Sequence, residues 1–167
     1  RTLYSFADAG TETFESGVLR QGRPFFWEPE VARPWVVTSG AANTGAFSAA
    51  TPDLKQDESS SLSATFTQAV AGSFLFAFKV SSELNYDIFR VLIDGVPQFA
   101  LSGELDWTGI VIPLPAGEHT VTWIYQKDDT GSDGADLVWI DDVFFPESAV
   151  FTSIESSSTE GLPGEYS

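Results

Sequence analysis

Ser73-Phe-Leu-Phe-Ala-Phe-Lys-Val80 is the stretch that decides the fold. Phe74, Phe76, Phe78 and Val80 recur at every second residue, so an extended chain turns all four to one side. His119-Thr-Val-Thr-Trp-Ile-Tyr-Gln126 repeats the pattern, with Val121, Trp123 and Tyr125 on one face and Thr120 and Thr122 on the other. Alternation of this length marks a strand with one face in a core. Ile88-Phe-Arg-Val-Leu-Ile93 and Leu137-Val-Trp-Ile-Asp-Asp-Val-Phe-Phe145 are apolar on both faces and read as central strands. Shorter candidates lie at 3–6, 35–38, 46–49, 61–65, 98–102 and 107–113.

No stretch has the pattern of an amphipathic helix. Turn signals punctuate the strands instead: Asp94-Gly95-Val96-Pro97, Pro115-Ala-Gly117 and the loop Lys127-Asp-Asp-Thr-Gly-Ser-Asp-Gly-Ala-Asp136. Short strands at a regular spacing of about 10–12 residues predict an all-β fold, an antiparallel two-sheet β-sandwich of the jelly-roll kind. There is no internal repeat. After Pro146 the composition shifts, and Glu155-Ser-Ser-Ser-Thr-Glu-Gly-Leu-Pro-Gly164 has the character of a linker. The expected organisation is one sandwich domain over 1–147, followed at 148–167 by a strand remnant or flexible linker to other domains of a larger parent chain.

At 167 residues the chain suits a single domain with one core. A hydrophobic fraction of 43% with 14% aromatics excludes disorder over most of it. No apolar run approaches the roughly 20 residues of a membrane-spanning helix, so no membrane insertion is expected. Asp and Glu number 24 against 8 Lys and Arg, a net charge of −16. Such a surface repels phosphate backbones and anionic lipid, which argues against nucleic acid as a partner and suits cations or neutral polymers. Cysteine is absent, which excludes disulfides, thiolate zinc sites and a cysteine nucleophile. A core of this size needs no disulfide, so a secreted or cell-surface location stays open. The chain opens at Arg1 with no apolar h-region, as a mature protein or an excised module does.

Several segments, in order, resemble one group of bacterial extracellular modules: Phe14-Glu-Ser-Gly17, Trp35-Val-Val, Gly45-Ala-Phe-Ser48, Val80-Ser-Ser-Glu83, Tyr86-Asp87, Ile93-Asp-Gly95, Ser102-Gly103 and Trp107. Ala116-Gly-Glu-His-Thr-Val-Thr-Trp123, Tyr125-Gln-Lys-Asp128 and Val138-Trp-Ile-Asp-Asp-Val-Phe144 continue the series. Together they are similar to the MAM-like and concanavalin A-like jelly rolls of secreted proteases, polysaccharide-degrading enzymes and adhesins. The likeness covers about residues 12–146. It implies an accessory module, often with structural calcium, that binds glycans or other surfaces. The cysteines of eukaryotic MAM domains are missing here, so the match is to the bacterial relatives.

Asp141 and Asp142 interrupt an apolar terminal strand, and a carboxylate buried there must be paired, hydrogen-bonded or metal-bound. Calcium takes six to eight oxygen ligands gathered from separate segments. In jelly rolls of the kind this chain resembles, the first and last strands approach each other, which would bring Glu15 to Asp141, with Asp57 and Glu58 as further donors. Glu15, Asp57, Asp141 and Asp142 are therefore the expected Ca²⁺ ligands. The alternative is that Asp141 accepts hydrogen bonds from the backbone amides of a neighbouring loop. The acidic run 128–136 lacks the glycine and glutamate offsets of an EF-hand, and solvation is its ordinary fate.

Sugar rings stack their C–H faces on aromatic side chains. Trp27, Tyr86, Trp107 and Tyr125 are the candidate platforms, whereas Trp123 and Trp139 sit in alternating strands and are assigned to the core. Trp27 lies in Arg23-Pro-Phe-Phe-Trp-Glu-Pro29, which reads equally as an exposed loop or a packed lid. Asn85 and Asp87 flank Tyr86, Asp106 precedes Trp107, and Asp133 and Asp136 stand in the acidic loop; the expected glycan-binding set is Trp27, Asn85, Tyr86, Asp87, Trp107, Asp133 and Asp136. Catalysis is not expected. His119 is the only histidine, at a turn, with no G-x-S-x-G elbow to serve it. No E-x-D-x-x-E strand of the sandwich-fold glucanases is present. Two readings follow: a non-catalytic, extracellular, calcium-stabilised carbohydrate-binding module, or a structural or adhesive module that binds protein or surface.

Overall fold

The computed structural model describes residues 10–21 and 25–146. Among them the chain forms β1 (Thr11–Glu12), β2 (Phe25–Pro29), β3 (Val36–Thr38), β4 (Ser48–Ala50), β5 (Ser59–Gln68), β6 (Gly72–Ser81), β7 (Ile88–Ile93), β8 (Val96–Leu101), β9 (Glu104–Leu114), β10 (Gly117–Gln126) and β11 (Leu137–Phe144). They pair antiparallel in two sheets. One runs β3-β4-β11-β6-β9, with β1 also on β11; the other runs β2-β5-β10-β7-β8. The expected two-sheet β-sandwich is what the chain builds. The strand expected at 3–6 and the tail at 148–167 lie outside the described residues.

Period two does the work. On β6, Phe74, Phe76, Phe78 and Val80 are buried; on β10, His119, Val121, Trp123 and Tyr125 are buried while their neighbours face out. Trp123 pairs with Leu62 on β5 and Val91 on β7, so it sits mid-sheet with apolar neighbours on both sides. Its indole stacks on Trp27 at 5.6 Å between ring centroids. Phe25 stacks on Phe145 at 4.4 Å, and Phe66 on Phe74 at 5.6 Å. Such aromatic pairs add to the area they bury. Trp139 is also buried, but outside this cluster. Val138 and Ile140 face inward, so alternation sends Trp139 to the other side of the sheet.

The Phe25–Pro29 segment is the main correction. It is neither loop nor lid but an edge strand, paired with β5 from Phe25↔Phe66 to Pro29↔Leu62. Phe25 and Trp27 point inward and are buried; Phe26 points outward and is exposed. An edge strand tolerates proline because one side of its backbone needs no ladder partner. The side chain of Gln21 serves part of that edge, donating from Nε2 to the Trp27 carbonyl at 2.8 Å and accepting the Trp27 amide at 3.2 Å. Trp27 is therefore core, and its ring offers no face to a sugar.

Candidate functional site

Two loop systems gather the polar residues. The first is the corner where the described N-terminal segment meets β11. The β11–β6 register slips between Asp141 and Phe144, and Asp142 takes φ +48°. Asp141 still pairs with Ala77, and the bulge that follows it lets Asp141 and Asp142 turn to one loop. Asp141, fully buried, accepts the amides of Asn43 at 2.8 Å and Thr44 at 3.2 Å on Oδ2, and that of Asp142 at 2.7 Å on Oδ1. Asp142 accepts from Asn43 Nδ2 at 2.8 Å and Thr44 Oγ1 at 2.6 Å. From the other side Glu15 accepts the amides of Ala46 and Phe47, each at 3.0 Å. Burial pushes the Asp141 carboxyl up to about 6; the amides of Asn43, Asp142 and Thr44 oppose that shift, and the Asp142 charge adds to it.

The structure thus brings Glu15, Asp141 and Asp142 to one loop, residues 43–47, and shows the amide contacts of the alternative reading. Asp57 is not part of that corner. It is exposed, with φ +62°, and its amide donates to the Asp128 carbonyl at 2.8 Å.

The second system is the rim formed by the β6–β7, β8–β9 and β10–β11 connections. Ser82 ties the first two: its amide donates to the Gly103 carbonyl at 3.0 Å, and its Oγ accepts the Gly103 amide at 3.1 Å. Asn85 takes φ +69° and donates its amide to Ser102 Oγ at 2.8 Å. That turn lifts Leu84 and Tyr86 into solvent, 60% and 59% exposed. Asp87, next in sequence, goes the other way and is fully buried.

Under the rim lies a charged knot. Lys127 Nζ donates to Asp87 Oδ2 at 3.1 Å, to Ser132 Oγ at 2.9 Å and to Asp136. Tyr125, fully buried, donates its hydroxyl to Asp136 at 2.5 Å. Burial opposes the Lys127 charge, but Asp136 and Asp87 outweigh it and hold the ammonium above its ordinary range. The acidic loop is therefore not a freely solvated hairpin. It is folded back on the β6–β7 turn, with Gln56 Nε2 donating to the Gly131 carbonyl at 2.5 Å and Ser81 Oγ accepting the Ala135 amide at 2.7 Å.

Of the seven expected glycan-binding residues, Asn85 and Tyr86 share one exposed turn, and Asp133 is exposed in the loop beside it. Asp87 and Asp136 are bound up with Lys127, because a buried ammonium needs carboxylates close by. Trp107 is half-buried on β9, beside Asp106, which pairs with Lys79 at 3.3 Å. Tyr125 and Trp27 are core. Lys127 itself was missed, although the inward positions His119, Val121, Trp123 and Tyr125 run on to 127 at the same spacing. A lysine continuing a buried stripe is the signal for an internal ion pair.

His119 sits at the opposite end of β10. Its Nδ1 lies 2.7 Å from Asp94 Oδ2 and its Nε2 lies 2.8 Å from the Pro115 carbonyl. Both ring nitrogens hold turns together.

No family model and no curated protein matches this chain. Solved structures do, at identities that carry the fold. TmCBM61, solved in complex with β-1,4-galactotriose, is 18% identical at a TM-score of 0.50, covering 81% of this chain and 94% of its own. The C-terminal family 22 carbohydrate binding module of Clostridium thermocellum Xyn10B is 10% identical at 0.51, covering 86% and 97%. The K3 cleaved adhesin domain of the Porphyromonas gingivalis Lys-gingipain is 13% identical at 0.55, covering 80% and 95%.

Proposed function

We propose that this chain is a non-catalytic, extracellular carbohydrate-binding module, appended to a larger bacterial protein and stabilised by calcium. The observation that carries the reading is the Asn85–Tyr86 turn. It presents an exposed phenol ring at a loop rim, on a sandwich of the same architecture as modules solved for their glycan binding. The ring face is the surface a sugar stacks on. Asn85 and Asp133 supply polar groups for hydroxyls, and Trp107 extends the set along β9. A small shallow site gains little after the cost of association, so affinity for a single sugar is weak and polymers are the ligands of choice. The net charge of −16 favours neutral chains.

Calcium belongs to the same proposal, at the corner of Glu15, Asp141 and Asp142. The donor set there is all oxygen, the chemistry a hard cation selects. The fit rests on three carboxylates converging on loop 43–47, one of them buried far enough to raise its pKa. When bound, calcium supplies charge compensation and ties β11 to that loop; it takes no part in ligand chemistry.

An adhesive module that binds protein or surface is the second reading, favoured by the likeness to the K3 cleaved adhesin domain. A glycan array and pull-down on insoluble polysaccharides, run with calcium and again in chelator, separate the two. Binding that Tyr86→Ala removes supports the glycan reading; blank arrays with calcium present hand the case to adhesion.

A further inference from the structure

A second cluster of carboxylates lies away from the Glu15–Asp141 corner, beneath the turn that carries Tyr86. Glu83, Asp87 and Asp128 each place a carboxylate oxygen within 4.8 Å of the other two. They come from two segments: Glu83 and Asp87 from the β6–β7 turn, closed by the Tyr86 and Asp87 amides on the Glu83 carbonyl, and Asp128 from the β10–β11 loop.

Two of the three are partly served. Asp87 accepts Lys127 Nζ on Oδ2 at 3.1 Å and the Asp128 amide on Oδ1 at 3.0 Å, and Asp128 accepts the Thr130 amide on Oδ1 at 3.1 Å. Glu83 is different. Its Oε2 is sealed from solvent and has no hydrogen-bond partner. The backbone of Gly131 lies over that carboxylate so closely that a Cβ there would run into it, and Gly131 takes φ +83°, a conformation side chains resist. An unpartnered buried oxygen facing two like charges is the least favourable way to leave a carboxylate. Local charge does not resolve it. Asp87, Asp128 and Asp133 stand near Glu83, and the nearby ammonium, Lys127, is already shared among Asp87, Ser132 and Asp136.

We infer that Glu83, Asp87 and Asp128 form a divalent-cation site, separate from the Glu15–Asp141 corner and built for a hard ion such as calcium. The donors are oxygens from separate segments, with no imidazole or thiolate, which excludes a preference for zinc. Carboxylates on loops suit the loose six- to eight-fold shell of calcium better than the strict octahedron of magnesium. The ion gives Glu83 Oε2 its missing partner and fastens the acidic loop to the turn below Tyr86. The inference stands whether or not the rim binds glycan.

The test is calcium titration of chelator-stripped protein by calorimetry, with melting curves, on wild type, Glu83→Gln, Asp128→Asn and Asp141→Asn. Glu83→Gln keeps the shape and removes one of the crowded charges. It is expected to melt higher than wild type in chelator, to lose one equivalent of calcium, and to lose that share of the calcium-induced rise in melting temperature. Asp128→Asn is expected to weaken the same equivalent at least about tenfold, whereas Asp141→Asn leaves it in place. A Glu83→Gln protein with the full calcium stoichiometry of wild type overturns the inference. So does a wild type that takes up no calcium in the millimolar range.

Discussion

Lys127 and Asp87 form an ion pair shut off from water, with Nζ 3.1 Å from Oδ2 and side chains 1% and 0% exposed. Each charge is tolerable inside the protein only because the other is there. Lys127→Met is therefore expected to destabilise by about 3–5 kcal/mol, the usual cost of orphaning one member of a buried pair. Urea unfolding measures it. A loss below about 1 kcal/mol would mean that Asp87 reaches water once its partner has gone. Hydrogen exchange should quicken in residues 128–136, whose fold depends on the same ammonium.

Trp123 is fully buried and stacks on Trp27 at the middle of the sandwich. Trp123→Ala leaves a cavity that two sheets cannot collapse to fill, at a cost of about 3–5 kcal/mol. The denaturation midpoint should fall while the far-UV spectrum stays that of a β protein. A variant as stable as wild type would show that the core is not packed as described.

Tyr86 supports the opposite expectation. At 59% exposure its removal touches little of the core, so Tyr86→Ala should move stability by no more than about 0.5 kcal/mol. Binding to a responsive polysaccharide should weaken about tenfold, equal to about 1.4 kcal/mol. Affinity electrophoresis beside a melting curve reads both. Unchanged binding would remove Tyr86 from the site.

His119 and Asp94 make stability depend on pH. Burial opposes charge on the imidazole, but the bonds to Asp94 and the Pro115 carbonyl outweigh it and raise the His119 pKa. Burial acts upward on Asp94 too, yet the bonds from His119 and the Thr120 amide leave its pKa lowered. The His119 contribution is thus fully present below the ordinary imidazole value of about 6.5 and is lost as pH rises through the folded value. The Asp94 contribution is present above about 3.9 and is lost as pH falls through its depressed value. Stability from this pair should peak at about pH 4–6.5. Urea midpoints across pH 4–8 should show the decline on the alkaline side in wild type and not in His119→Gln; equal slopes would dissociate the pair from stability.

How far the chain could be read in advance differs from strand to strand. β6 and β10 announce themselves, because alternation is a local property and each strand's buried face is written along its own length. β2 did not. Its short span, with a proline at its end, looks like a loop, and it becomes a strand only because β5 offers a free edge and the core takes Phe25 and Trp27. Trp27 shows the limit best: an aromatic in a short polar-flanked segment faces inward or outward according to what stands opposite it.

The acidic residues divide in the same way. Composition alone shows that carboxylates far outnumber cations, a balance that disfavours anionic partners. It does not show which carboxylates meet. Glu15 and Asp141 reach the same loop from opposite ends of the chain, while Glu83 and Asp87 meet Asp128 from a different connection of the sandwich. Strand periodicity is set by neighbours two residues apart, so the sequence by itself determined the sandwich. Charge convergence is set by how the sheets close and where the connections fold back, so only the tertiary structure decided which acids stand together and that Tyr86 is turned to water while Trp27 is not.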